Sequence, residues 1–246
     1  MKIIGSDYDG TLNHGGIDDV KRQAIHEWRE KGNIFAVVSG RCATDIIEIA
    51  KRHDFECDYF VGYNGAMIAK PDGTIVFSAE CDGDIVPALV RHLLDEGCPD
   101  VFVGTDDAFE VCADKLERDE KGRFILDGIP NVQCFNQVST ACVDYETASR
   151  VTASVKEKFG HLLNPLQNGT CIDIVRKDIN KAQGLYRLME ILGAKYEDII
   201  AVGDNVNDMD MIAEFRSYAM ENAVALIKDL ADDITHSVTA IIEKEL

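Results

Sequence analysis

The sequence predicts an α/β fold, a parallel sheet covered by helices, into which a second α+β unit is inserted. Three observations carry this reading. Apolar runs that end in polar or glycine residues recur as KIIGSD (2–7), IFAVVSG (34–40), YFVGYNG (59–65) and IIAVGD (199–204), each the pattern of a buried strand. Helical periodicity fills intervals between them, and strands that alternate with helices form a parallel sheet with crossover helices. The stretch from about 81 to 177 abandons this alternation for the order helix, short strands, helix, strands.

The first helix is expected over 18–31, entered through Asp18-Asp19 and stopped near Gly32. The second is expected over 42–53, where Ile46, Ile47, Ile49 and Ala50 supply the apolar positions. MIAKPDGTIVF (67–77) reads as a hairpin around Pro71-Asp72-Gly73. Beyond the inserted unit, KAQGLYRLMEILG (181–193) sets Leu185, Leu188, Met189 and Leu192 on one stripe, with Gly193 at the C-terminal stop. Further helices are expected over 207–215, 222–230 and 238–245. The core is thus 1–80 with 178–246, and the inserted α+β domain 81–177, both of ordinary domain size.

A chain of 246 residues, 46% hydrophobic and 28% charged, has the balance of a soluble globular protein. Its 44 acidic and 25 basic side chains leave a net charge of −19, which disfavours a nucleic-acid or anionic-membrane partner. A small anionic substrate would need a locally positive pocket. Met1-Lys2 leads directly into strand without a signal-peptide apolar region, and no run reaches membrane-spanning length, so a cytoplasmic location is expected. The eight cysteines are widely spaced, with no Cys-x-x-Cys pair, and are expected as mostly buried thiols. The six histidines show no metal-ligand spacing.

Ligands of an open α/β sheet bind beyond the carboxyl ends of its strands, so the chemistry is sought there. GSDYDGTLN (5–13) carries Asp7 and Asp9, which a continuing strand would hold on one face as two anions with nothing to offset them. Gly10 lets the chain leave the strand and turn both toward one ligand, although the same residues also suit a turn that caps its own backbone. The other strand ends carry Ser39-Gly40-Arg41, Asn64-Gly65-Ala66, and Gly203-Asp204 followed by Asn207 and Asp208. Asp7, Asp204 and Asp208 together offer hard oxygen ligands without His or Cys, the set that Mg²⁺ prefers. Ser39 and the 204–208 segment also read as helix entries, and Arg41 as a site residue or as partner to a surface carboxylate. Lys181, in the first turn of a helix, opposes the macrodipole, and an anion there would repair this.

DYDGT, VVSGR, NGA, Lys181 within DINKAQGL, and GDNVNDMDMI together resemble the motif set of the haloacid dehalogenase superfamily of phosphohydrolases, more narrowly its Cof-like branch. The similarity spans the chain and keeps the motif order. It implies a Rossmann-like core and a mobile α/β cap inserted between the second and third motifs. It further implies Asp7 as nucleophile, forming an aspartyl-phosphate, and Asp9 as general acid and then base. Thr11 would orient this loop, Ser39, beside Gly40 and Arg41, would bind phosphoryl oxygens, and Lys181 would pair with the phosphoryl group and Asp7. Mg²⁺ would be held by Asp7, the backbone carbonyl of Asp9, Asp204 and, directly or through water, Asp208. Asn64 and Asn207 are further candidates for substrate contact. Tyr8, Ala182 and Asn205 depart from the commoner pattern without removing a catalytic group.

The expected function is therefore a Mg²⁺-dependent phosphatase acting on a small phosphorylated metabolite, sugar phosphates first. A sugar-phosphate mutase and a non-catalytic phosphate-ligand sensor are the alternatives. Specificity is expected to reside in the inserted domain, where Lys115, Arg118, Arg123 and LQNGT (166–170) are the candidates. Oligomeric state is not legible.

Overall fold

A computed structural model describes residues 1–105 and 108–246. Two compact units appear, Met1–Ser78 with Asn180–Leu246, and Ala79–Ile179. The first begins with β1 (Ile3–Asp7), α1 (Asp19–Glu30), β2 (Ile34–Val38), α2 (Ala43–His53), β3 (Tyr59–Gly62), β4 (Met67–Ala69) and β5 (Ile75–Ser78). The second comprises β6 (Cys81–Asp82), α3 (Val86–Asp95), β7 (Asp100–Gly104), β8 (Phe109–Cys112), β9 (Cys134–Phe135), β10 (Gln137–Ala141), α4 (Tyr145–Phe159), β11 (Leu163–Asn168) and β12 (Cys171–Arg176). The chain then completes the first with α5 (Lys181–Leu192), β13 (Ile199–Gly203), α6 (Met209–Glu214), β14 (Arg216–Met220), α7 (Ala225–Leu230), β15 (Asp233–Thr235) and α8 (Val238–Glu245).

The eight strands of the first unit run β15-β14-β13-β1-β2-β3-β4-β5. Those from β15 to β3 are parallel, and β4 and β5 close the edge as the antiparallel hairpin read from the sequence. β1 is central, Ile4 lying between Ile200 and Phe35, and both faces of its residues are buried, which explains its unbroken apolar run. The chain crosses from β1 toward β2 but from β13 toward β14, in opposite directions. The crevice outside the carboxyl ends of β1 and β13 is therefore the point where the connections diverge, the usual ligand position in such sheets. α1 packs on α8, and α5 on α6.

Helix starts follow capping chemistry: Asp18 accepts from Lys21 N, and Asn180 from Gln183 N. The helix expected over 222–230 begins only at Ala225, because the preceding turn is pinned by a bond from Val224 N to Asp204 O (3.0 Å). That expected over 207–215 shortens to Met209–Glu214 behind a tight turn.

In the second unit an antiparallel sheet ordered β11-β12-β10-β7-β8 is covered by α3 and α4, with Leu89, Leu93, Val101, Val138, Ile172 and Ile174 in its core. Alternation sends Gln137, Ser139 and Asp173 to the other side, where Gln137 Nε2 donates to Ser139 Oγ (2.9 Å) and Ser139 Oγ to Asp173 Oδ1 (2.8 Å). Among the described residues no helix is long and apolar enough to cross a membrane.

Candidate active site

Asp7 closes β1, and its carbonyl accepts a bond from Ser6 Oγ (2.8 Å). Asp9 is then extended (φ −79°, ψ 117°) and Gly10 left-handed (φ +85°). A Cβ on Gly10 would collide with the Asp204 carboxylate, so conformation and space both demand glycine here. Thr11 Oγ1 donates to Asp204 Oδ1 (2.9 Å), which ties the turn after β1 to the end of β13. Asn222 Nδ2 donates to Gly10 O (2.9 Å). Sequence reasoning passed over Asn222, whose signal is its place just past β14, another strand carboxyl end.

Lys181, at the first position of α5, is wholly buried. Its Nζ donates to Asp7 Oδ1 (2.7 Å) and to Asp208 Oδ1 (2.5 Å). The other Asp208 oxygen accepts from Asp204 N (2.9 Å) and Asn205 N (3.0 Å). Gly203 permits this fold-back, since a Cβ there would lie 2.6 Å from Asp208 Cγ. Asp208 thus both closes the turn before α6 and holds the lysine. A solvated role for Lys181 is excluded by its burial.

Carboxylate oxygens of Asp7, Asp204 and Asp208 lie within 4.8 Å of one another. Burial raises Asp7 well above the usual carboxylate range; Lys181 pulls it down, while Asp208 and Asp204 push it further up. Asp204 is likewise raised by burial and by Asp208. Burial alone would lower the Lys181 ammonium, but Asp208 and Asp7 reverse this and hold it above its ordinary value. Three carboxylates against one ammonium leave an excess of negative charge, and the donors are hard oxygens, so the cluster suits one divalent cation. Both Asp208 oxygens already serve Lys181 and the backbone, so a direct cation contact from Asp208 would compete with those bonds.

The Asp9 carboxylate is half exposed and gripped by Arg41, Nε to Oδ2 at 2.7 Å and Nη2 to Oδ1 at 3.0 Å. Ser39 is buried, and its Oγ accepts from Arg41 N (3.2 Å), while Cys42 rather than Ser39 stands at the N-cap of α2. Gly40 and Asn207 are half-buried. Asn64 is wholly buried, like Lys181, and its N is bonded to Ser39 O (2.9 Å). The basic candidates of the second unit are engaged locally: Lys115 with Cys112, Arg118 over the Phe124 ring, and Arg123 with Asp119. LQNGT runs from β11 into the turn before β12.

The family model of haloacid dehalogenase-like hydrolases matches residues 4–240. The chain is 27% identical over 239 residues to 5-amino-6-(5-phospho-D-ribitylamino)uracil phosphatase of Bacillus subtilis, covering 96% of this chain and 90% of the relative. It is 25% identical over 244 residues to the Escherichia coli protein of the same description, covering 91% and 86%. A Streptococcus pyogenes relative is 26% identical over 97% of this chain, which spans about half (51%) of that protein. A haloacid dehalogenase-like hydrolase of B. subtilis superposes with a TM-score of 0.83 at 19% identity, covering 100% of both chains. Fold, motif order and a match over nearly the whole length agree: the chain belongs to the haloacid dehalogenase-like hydrolases.

Proposed function

We propose that the protein is a Mg²⁺-dependent phosphomonoesterase of small phosphorylated metabolites, sugar and sugar-alcohol phosphates first, working through a phosphoryl group carried transiently on Asp7. The observation that carries this reading is the buried Lys181 between Asp7 and Asp208, beside Asp204. A charge is buried only where it is paired, and here the pairing leaves negative charge in excess where an anionic substrate must enter. Mg²⁺, held by Asp7, Asp204 and the Asp9 carbonyl with Asp208 at the margin, would supply the compensating positive charge.

An Asp7 oxygen bonds to phosphorus as the bond from phosphorus to the leaving oxygen breaks, and Asp9 gives that oxygen its proton. Lys181 and Ser39 bind the non-bridging oxygens, where charge develops. Asp9 then takes a proton from water as the water oxygen attacks phosphorus, the bond to Asp7 breaks, and inorganic phosphate leaves. Half exposure leaves Asp9 reachable, and at least one of its two bonds from Arg41 opens when Asp9 carries the proton. We place the choice among substrates in the inserted domain 81–177.

The test is phosphate release from sugar phosphates, nucleotides, flavin mononucleotide, pyridoxal phosphate and the phosphoribitylamino uracil of the relatives' description, with and without Mg²⁺. Release confined to Mg²⁺-containing reactions is expected. Isomer conversion without release would replace the reading with a mutase, and binding without turnover across the panel with a sensor.

A further inference from the structure

Asn64-Gly65-Ala66 lies at a strand end, and its asparagine is wholly buried. The backbone of the segment is unusual. Tyr63, Asn64 and Gly65 all have left-handed φ, +50°, +52° and +103°. For the first two residues this conformation is costly and persists only where the surroundings impose it. Bonds from Tyr63 N to Arg41 O (2.8 Å) and from Asn64 N to Ser39 O (2.9 Å) do so, anchoring the segment to the loop after β2.

The outcome is that Gly65 lies directly against the first turn of α5. A Cβ on Gly65 would collide with Asn180 O and sit 3.0 Å from Gly184 N. A Cβ on Gly184 would sit 2.7 Å from Gly65 Cα and 2.6 Å from Val61 Cγ1. Backbone therefore meets backbone with no side chain between. Gly184 follows Lys181 by one helical turn and shares its face. On β1, a Cβ on Gly5 would lie 2.6 Å from Leu185 Cδ2, so the same turn is gripped from a second side.

The geometry points to Gly65 and Gly184 as positioning residues: they seat α5 at the depth that brings the Lys181 ammonium between Asp7 and Asp208, and they gear that depth to the Ser39–Arg41 loop. This rests on the role proposed for Lys181. A methyl group at 184 must lift the helix by several tenths of an ångström to reach ordinary contact, and it does so on the face that carries Lys181.

The experiment compares Gly184→Ala with the wild type in two readouts, Mg²⁺-dependent hydrolysis of para-nitrophenyl phosphate and native-state acetylation of Lys181 by acetic anhydride, mapped against exposed Lys195. With the fold retained, kcat is expected to fall about tenfold while KM stays within about twofold, because the displaced charge acts on the transition state. Acetylation of Lys181 is expected to rise about fivefold as its pairing loosens. Gln183→Ala, next to it on the exposed side, changes neither. In a Lys181→Met background the same glycine substitution costs nothing further, which a merely destabilising change would not reproduce. Wild-type kcat and wild-type protection in Gly184→Ala overturn the proposal, as does an equal loss in the Lys181→Met background. If the wild type releases no phosphate, the functional reading fails and acetylation alone decides the seat. Should Gly184→Ala not fold, Val61→Ala/Gly184→Ala takes its place; if that also fails to fold, the glycines serve the fold at large and the proposal falls.

Discussion

Replacing Lys181 by methionine keeps all but the last atom of the side chain's reach and removes one positive charge from between two buried carboxylates. Breaking a buried pair by deleting one partner costs about 3–5 kcal/mol, because the remaining charges lose their compensation. For a chain of this size that lowers the melting temperature by roughly 10 °C in Mg²⁺-free buffer. Turnover should fall by about 10²–10³, the usual consequence of removing one donor aimed at developing charge. The stability deficit has a sign with pH. Burial already raises Asp7 above its unfolded value of 3.8, so an ionised Asp7 opposes folding, more so without the lysine. The deficit is therefore largest above the variant's folded value and shrinks as the pH falls from there toward that of the wild type. Thermal unfolding across pH and steady-state kinetics on an aryl phosphate check both numbers. A variant that melts with the wild type at neutral pH, or turns over at a comparable rate, would refute the reasoning.

Chelation should abolish activity and added Mg²⁺ restore it, with a stabilisation of about 2.7 kcal/mol at a hundredfold excess over the dissociation constant, read as a melting shift. Full turnover after exhaustive chelation contradicts this. Asp9→Asn should trap phosphate on Asp7 when the leaving group is an activated aryl oxide that needs no proton, since hydrolysis of the intermediate loses its base; mass spectrometry finding aryl release without any adduct would make water the nucleophile. Glu245 is buried and accepts from Tyr218 Oη (2.8 Å), with Lys2 Nζ (3.1 Å) and Arg216 also paired to it. Burial raises this carboxyl, but the tyrosine bond and the two cations outweigh it and hold the folded value below 4.5. Its stabilisation is therefore complete above 4.5 and lost as pH falls through the folded value. Glu245→Gln should lose about 2 kcal/mol at neutral pH, and the gap to the wild type should narrow in acid; a gap constant with pH assigns the effect to packing.

The strands that carry the site were legible because they are buried on both faces, so Ile3-Ile4 and Ile199-Ile200 stand out as unbroken apolar runs. β14 (RSYAM) and β15 (DIT) lack such runs and left no comparable mark. In α5 the apolar stripe was only partly informative. Leu185 and Leu188 are fully buried, but Met189 and Leu192 are half-buried, and Lys181, Ala182 and Gly184 share the buried face. A lysine and a glycine carry no hydrophobic signal, so periodicity could name the residue but not its burial. The basic residues at 115, 118 and 123 show a related limit: charge is visible in a sequence, whereas the neighbour it meets, Cys112, Phe124 or Asp119, depends on local turns.

Gly10 marks where the limit falls. The need for a left-handed turn after Asp9 follows from local chemistry, and the observed φ of +85° agrees with it. The crowding against Asp204 does not follow, because it exists only when β1 and β13 lie side by side in the register Ile4 to Ile200. The same holds for Gly65 under α5. Each is a contact between segments remote in sequence, and each makes room for a charged group or for the helix that bears one. Residue types at strand ends could therefore announce which chemistry the crevice holds, while the depth at which those groups meet is set by glycines whose reason lies across the sheet.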